Sequence, residues 1–381
     1  MDKIGIIGEF NPFHNGHMYL IDKIKKQFPN SFITAIITTN FTQRGDFSVY
    51  TKWDKTKIAL NNNIDLVVEL PFYFATQSAD IFSYASVSIL EYLDLDYLIF
   101  GSEIGDIEIL KNLANTILYH KDFNKLVREY LDLGNNYPAA MGKALYNITN
   151  IKLINSNDIL AVTYIKTILE NDYKIKPLTI KRTNNYLNKK TSGNISSATS
   201  IRELYFNNIN IDKYIPKNTN QYFKINNNYL DKYFFLLKYK LISEINSLNK
   251  YLDVAEGIEF KIKKIILNSN NYQELLDNLK SKRYTYNKLN RMFLHIMLNL
   301  EKENKFSINY IRILGFNKLG RSYLKVIKQS NNFPIITNYK EINDEVLKLE
   351  KLATIIYLNI ISREDLIKEE LKSIPIDYSK K

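Results

Sequence analysis

The sequence predicts an α/β domain built on a parallel sheet, followed by a mainly α-helical C-terminal domain, on three observations. Short, nearly unbroken apolar runs fill the first half, the pattern of strands buried on both faces. Helical-period segments separate these runs, and alternation of this kind favours parallel pairing through right-handed crossovers. From about Ile211 long periodic segments take over and strand runs become scarce.

Residues 3–7 form the first apolar run and end at a turn; residues 32–38, rich in β-branched side chains, form the second. Residues 65–70 are the third, closed by Pro71, and 97–100 the fourth, stopped by Gly101. A fifth run, 178–181, follows a helical stretch over 159–169. Between the strands, 18–27 has a helical pattern, and Phe82, Ser86, Ile89 and Leu93 share one helical face. In the second half, 229–252 and 286–300 read as long helices. The Asn-rich stretch around Pro216 marks the change and gives domains at 1–210 and 211–381.

Composition narrows the class. The chain has 381 residues, 45% of them hydrophobic, which is ample for a packed core and excludes full disorder. With no cysteine, a disulfide scaffold, thiol catalysis and cysteine-held metals are excluded. No stretch approaches the ~18 unbroken apolar residues of a membrane span. The opening, Asp2 and Lys3 before a strand-like run, lacks the architecture of a cleavable leader. A cytoplasmic protein with no membrane partner is expected. The 52 Lys and Arg outweigh 40 Asp and Glu, for a net charge of +12. That surplus suits a polyanion such as nucleic acid, while a Lys-, Asn-, Ile- and Tyr-rich composition also follows from low-GC drift.

The segment Gly8-Glu9-Phe10-Asn11-Pro12-Phe13-His14-Asn15-Gly16-His17 sits directly after the first strand and before a helix. Two of the four histidines lie three residues apart, which on a first helical turn puts both imidazoles on one side. Gly16 allows a ligand close to the backbone, and a helix N-terminus with free N–H groups suits phosphate. Ligands of parallel sheets bind at the carboxyl ends of the strands. The chemistry indicated is attack on the α-phosphate of a nucleoside triphosphate, which runs on positioning and charge stabilisation without a covalent enzyme intermediate. Magnesium would arrive with the triphosphate; paired-cysteine zinc patterns and a Gly-Lys-Ser/Thr phosphate loop are absent.

The histidine, any residue, glycine, histidine signature is that of the nucleotidylyltransferase superfamily, with its Rossmann-like domain. The longer string resembles a narrower group, the bacterial tRNA(Met) cytidine acetate ligases. Further segments resemble that group in order: Asn40-Phe41-Thr42-Gln43-Arg44-Gly45-Asp46, Val68-Glu69-Leu70-Pro71-Phe72, Ala75-Thr76-Gln77-Ser78-Ala79-Asp80, Phe100-Gly101-Ser102-Glu103 and Ile195-Ser196-Ser197-Ala198-Thr199-Ser200-Ile201-Arg202. Lys282-Arg283-Tyr284-Thr285 and Tyr310-Ile311-Arg312-Ile313-Leu314-Gly315-Phe316 continue it through most of the chain. The resemblance implies that acetate attacks ATP to give acetyl-adenylate and pyrophosphate. The N4 amine of the wobble cytidine in elongator tRNA(Met) then takes the acetyl group, releasing AMP.

The resemblance further implies that ATP lies against Ile7-Gly8-Glu9-Phe10-Asn11-Pro12-Phe13-His14-Asn15-Gly16-His17-Met18-Tyr19-Leu20, Gly101, Asn157 and Arg182. His14 and His17 would donate to the phosphates as charge builds. Ser197 and Ser200 open a helix, where serine caps it and meets phosphate; Arg202, one turn in, has the reach to stabilise the leaving pyrophosphate. Asp158 stands where the group has a second asparagine beside Asn157. Tyr186-Leu187-Asn188 departs from the Tyr-His-Asp that follows the arginine in that group.

Other residues stay open at this level. Gln43, Arg44 and Asp46 flank the pocket, where Arg44 binds phosphate or acetate or lies in solvent. Lys52 and Lys55, around Trp53, either guide RNA or triphosphate or mark an exposed helix start. His120 is expected at the surface and His295 in the core. Lys282, Arg283, Lys288 and Arg291, with neighbouring tyrosines, form a candidate RNA grip or a solvated helix face. The rival functions are a small-molecule nucleotidylyltransferase and a non-catalytic RNA-binding protein on a decayed enzyme fold.

Overall fold

Each apolar run of the first half is followed by at least one helix that returns the chain across a face of the sheet, so the runs pair in parallel. The computed structural model describes residues 1–182, 193–330 and 333–380. Among them the strands are β1 (Lys3–Gly8), β2 (Phe32–Thr38), β3 (Leu66–Leu70), β4 (Tyr97–Ser102), β5 (Lys176–Lys181), β6 (Ile311–Asn317), β7 (Ile335–Ile336) and β8 (Ile376–Tyr378). They form one sheet in the order β5-β4-β1-β2-β3-β6-β7, with β8 also paired to β6. β1 to β5 are mutually parallel. The order reverses between β1 and β4, whose carboxyl ends therefore border the crevice where α/β sheets bind ligands.

The second half is not only helical. β6 runs antiparallel to β3, matching Leu66 with Phe316 and Val67 with Gly315. β7 and β8 pair in parallel with different parts of β6. β6 escapes a reading of apolar runs because Arg312 interrupts it, and β7 and β8 are two and three residues long.

Side chains alternate across the sheet and divide the core by face. Ile33, Ala35 and Ile37 join Ile4, Ile6 and the second-half residues Leu237, Leu289 and Phe293 on one face. Phe32 and Ile36 join Leu66, Val68 and Leu98 on the other, against Phe82, Ala85 and Ile165. Residues from both sides of position 210 occur in both clusters.

A buried charge network ties the sheet to the second half. Lys52 Nζ lies 3.2 Å from Glu69, 3.2 Å from Glu350 and 2.8 Å from Glu370. Arg312 reaches Glu69 at 3.0 Å and stacks 3.9 Å from the Tyr339 ring centre. Trp53 Nε1 donates to Glu370. The expectation of an exposed helix start at Lys52 and Lys55 is overturned: the two residues are 1% and 0% exposed. The Lys55 ammonium instead donates to the carbonyls of Glu9, Thr38 and Thr39 at 2.8, 3.0 and 2.7 Å, closing the carboxyl ends of β1 and β2. Burial alone lowers its pKa, to about 7. Neither lysine is open to RNA or triphosphate from this position.

Candidate active site

The chain leaves β1 through Phe10, whose φ is +46°, and a cis Asn11–Pro12 bond. The Asn11 side chain sews this turn to the next loop, donating to Phe47 O at 3.2 Å and accepting from Val49 N at 2.8 Å. Phe10, Asn11, Pro12 and Phe13 are buried, so they shape the loop from behind. Met18 and Leu20 pack on the core, and Tyr19 lies under Lys23. Ile7, Gly8 and Asn15 are partly buried, and Asn15 Nδ2 donates to Asn194 O and Lys213 O.

His14 is the N-cap of the helix Asn15–Gln27. Its Nδ1 accepts from Gly16 N at 3.0 Å, and His17 Nδ1 accepts from His14 N at 3.1 Å. The two rings stack with centres 3.8 Å apart. Phe10 and Phe13 back His17 at 5.0 and 5.2 Å. A Cβ on Gly16 would stand 2.8 Å from His14 Cε1, so only glycine leaves that ring its place. Each Nδ1 accepts a backbone N–H, which fixes the proton of each neutral ring on Nε2. Among the described residues neither Nε2 has a hydrogen-bond partner. Burial first, then the Arg182 charge, lowers the His14 pKa to about 3. Burial, His14 and Arg182 hold His17 well below its usual value. The pair is thus two neutral Nε2–H donors beside a guanidinium.

Across the crevice, Glu103 follows β4 and organises the other wall. Its Oε1 accepts from Asn157 at 2.7 Å and lies 3.3 Å from Arg182 Nε. Arg182 extends over Gly101, where a Cβ would meet it at 3.3 Å. Asn155 is the N-cap residue of the helix Ser156–Glu170, so Asn157 lies in its first turn, two residues past the cap. Asp158 accepts from Glu103 N and Ile104 N at 2.9 and 3.1 Å, which gives this carboxylate a structural job. Arg44 is partly buried and donates to Ser156 Oγ at 3.2 Å in a solvent-exposed contact. Tyr186-Leu187-Asn188 lies outside the described residues.

Ser197 caps the helix Ala198–Phe206 by accepting from Ser200 N at 3.1 Å. One turn on, Arg202 donates to Asn11 O at 2.7 Å and to Asp46 Oδ2 at 3.1 Å, fastening this helix to the histidine loop.

The four candidate RNA residues do not act as one patch. Lys282 and Arg283 are exposed, with Arg283 3.5 Å from Glu256. Lys288 lies 4.0 Å from the Tyr284 ring centre. Arg291 turns inward to the Gln43 carbonyl at 3.2 Å. Lys282, Arg283 and Tyr284 also line a surface pocket of about 380 Å³ with Lys261 and Gly134. His120 is exposed and His295 is 0% exposed, with Nε2 2.9 Å from Thr76 O, as their contexts predict. Glu9, expected among the residues against ATP, accepts at Oε1 from Gln43 N at 2.8 Å. Sequence reasoning gave Glu103 no role, although its place at a strand end inside a quoted motif is the signal that could have found it.

The geometry suits a nucleotide at the mouth of a parallel sheet. The profile described as HIGH Nucleotidyl Transferase matches residues 1–372, and the chain belongs to that class. The tRNA(Met) cytidine acetate ligase of Anoxybacillus flavithermus is 35% identical over 401 residues, covering 99% of this chain and 100% of the relative. That of Clostridium perfringens is 38% identical over 383 residues, covering 94% and 95%. Within the class, this chain belongs to the tRNA(Met) cytidine acetate ligase family. The crystal structure of Thermotoga maritima TmcAL superposes with a TM-score of 0.89 at 28% identity, covering 100% of both chains. The same protein bound with alpha-thio ATP gives 0.87, again at 28% identity and 100% coverage of both.

Proposed function

We propose that this protein is an ATP-dependent ligase that acetylates N4 of the wobble cytidine of elongator tRNA(Met), working in the cytoplasm. An acetate oxygen attacks the α-phosphorus of ATP, the bond to the β-phosphate breaks, and pyrophosphate leaves. The cytidine amine then attacks the acetyl carbonyl, the bond to the phosphate oxygen breaks, AMP leaves and the amine gives up a proton.

The observation that carries the first step is the histidine pair with both Nδ1 atoms tied to backbone N–H. Two Nε2–H donors, already oriented, meet the oxygens where charge develops, and such preorganised donors lose no reorganisation energy at reaction. Arg182 adds a positive charge from the opposite wall, and Arg202 would receive the leaving pyrophosphate. Glu103 and Asn157 stand at the strand end where the nucleoside would lie. Magnesium would enter as part of the triphosphate substrate. The exposed Lys282 and Arg283 and the partly buried Lys288, beside tyrosines, grip the RNA. Residues 1–210 thus carry the ATP chemistry and 211–381 the RNA contact.

The reading is tested by incubating the protein with ATP, labelled acetate and tRNA(Met) transcript, then digesting the RNA and resolving nucleosides by mass spectrometry. Labelled N4-acetylcytidine is expected. Unmodified cytidine at the wobble position, with the protein folded and ATP present, would refute it.

A further inference from the structure

The loop between β2 and the helix Lys52–Asn61 folds on itself, with Thr42 N donating to Asp46 O at 3.0 Å and Asp46 N to Thr42 Oγ1 at 3.1 Å. Phe41 and Phe47 close it with an isolated bridge. Its tip presents the Asp46 carboxylate to two partners that belong to different jobs. Oδ2 accepts from Arg202 at 3.1 Å, while Oδ1 faces Asn290 Nδ2 at 3.5 Å. Asn290 is itself aimed, because its own Oδ1 accepts from Tyr272 OH at 2.8 Å, which leaves the amide nitrogen for Asp46.

The rest of the tip lies against the same helix, Tyr286–Met297. Gly45 has φ +78°, and a Cβ there would stand 2.7 Å from Arg291 N. Arg291 donates to Gln43 O at 3.2 Å. This helix starts at the Thr285 cap, directly after Lys282, Arg283 and Tyr284, and carries Lys288 on its first turn. One short rigid segment therefore holds the RNA-facing cations at its start and the Asp46 contact a turn further on.

We propose that Asp46 is a positioning residue for Arg202, and that its seat on Asn290 couples RNA engagement at residues 282–288 to the ATP half-reaction. This rests on the function proposed above and adds a regulation of the same site. Arg202 has two arrangements to choose between. In one its guanidinium is shared by Asp46 and the Asn11 carbonyl; in the other it leaves Asp46 for the phosphates. A charge-assisted bond to a carboxylate competes directly with one to phosphate. RNA that moves the start of the Tyr286–Met297 helix draws the Gly45–Asp46 tip with it and releases Arg202. Acetyl-adenylate is then formed chiefly when its acceptor is present. For the binding part of this coupling, linkage requires that nucleotide tightens RNA by the factor by which RNA tightens nucleotide.

The test uses acetate-dependent exchange of labelled pyrophosphate into ATP. The RNA is a tRNA(Met) transcript with uridine at the wobble position, which binds but has no amine to consume the adenylate. RNA is expected to raise the exchange rate and to lower the Kd of a non-hydrolysable ATP analogue by about fivefold or more, and the analogue to lower the RNA Kd by the same factor as RNA lowers its own. In Asn290→Ala, exchange without RNA and RNA affinity without nucleotide persist, while each loses its effect on the other. Asp46→Asn raises RNA-independent exchange, and Asp46→Glu restores the wild-type dependence. Exchange and RNA binding that are both present yet indifferent to each other in the wild type would overturn the coupling alone, as would coupling that survives in Asn290→Ala. Failure to exchange or to bind RNA at all would instead overturn the proposed function, and the coupling with it.

Discussion

His14 and His17 work as one unit, because each ring caps backbone that positions the other. His17→Ala removes the proposed phosphate donor and the acceptor for His14 N together. Adenylate formation should fall by at least about 100-fold, the usual loss for one oxyanion donor, while RNA affinity stays near wild type; a parallel loss of both in a folded variant would contradict this division. Gly16→Ala pushes a methyl against the His14 ring, and should slow exchange markedly with little change in the urea midpoint. The pH dependence has a definite sign. The folded-state pKa of His14 is depressed from 6.5 to about 3, so the unfolded chain takes up this proton first. Stability from the neutral ring is complete above pH 6.5 and is lost as pH falls toward 3. In urea titrations the advantage of wild type over His14→Asn should therefore shrink across that window; an advantage that grows would contradict the assignment.

At the scale of elements, Lys52 shows how a motif can be misread when its partners are distant in sequence. On a helix start it looks like a surface cation, yet Glu69 on β3, Glu350 on the helix Glu345–Ile360 and Glu370 close around it. Burial and the charge of Glu69 push the Glu350 carboxyl up to about 7. Removing one partner from a buried ion network typically costs about 3–5 kcal/mol. Lys52→Met should lose stability on that scale in denaturant melts without a direct effect on RNA affinity; a drop in RNA affinity alone, at unchanged stability, would return Lys52 to the surface role. By contrast β1 to β5, the histidine helix and the Ala198–Phe206 helix were legible, since local apolar period and capping residues specify them. β6 was not, because Arg312 breaks its pattern and only groups distant in sequence, Glu69, Glu370 and the Tyr339 ring, make that residue tolerable in a sheet.

For the whole molecule, the sheet crosses the boundary that composition suggests. β3 pairs with β6, and both core clusters draw on residues from each half. Residues 1–210 expressed alone should therefore fail to give a cooperative melting transition, whereas the full chain should melt cooperatively; an independently folded fragment would contradict the shared core. The net charge of +12 was readable as a polyanion signal, but its distribution was not. Lys282, Arg283 and Lys288 stand toward solvent or an aromatic ring, and Arg291 is spent on the Gln43 carbonyl. Reversing the first three charges should weaken RNA binding and flatten its salt dependence, by roughly one unit of slope for each phosphate no longer neutralised. Unchanged affinity across salt concentrations would remove that turn from the RNA surface.

The histidine pair as the site where a carboxylate displaces pyrophosphate is tested most directly by pyrophosphate–ATP exchange, with and without acetate, in the wild type and in His17→Ala. Exchange that needs acetate and vanishes in the variant is the expected result. Exchange indifferent to acetate, or undiminished without the His17 ring, would contradict it.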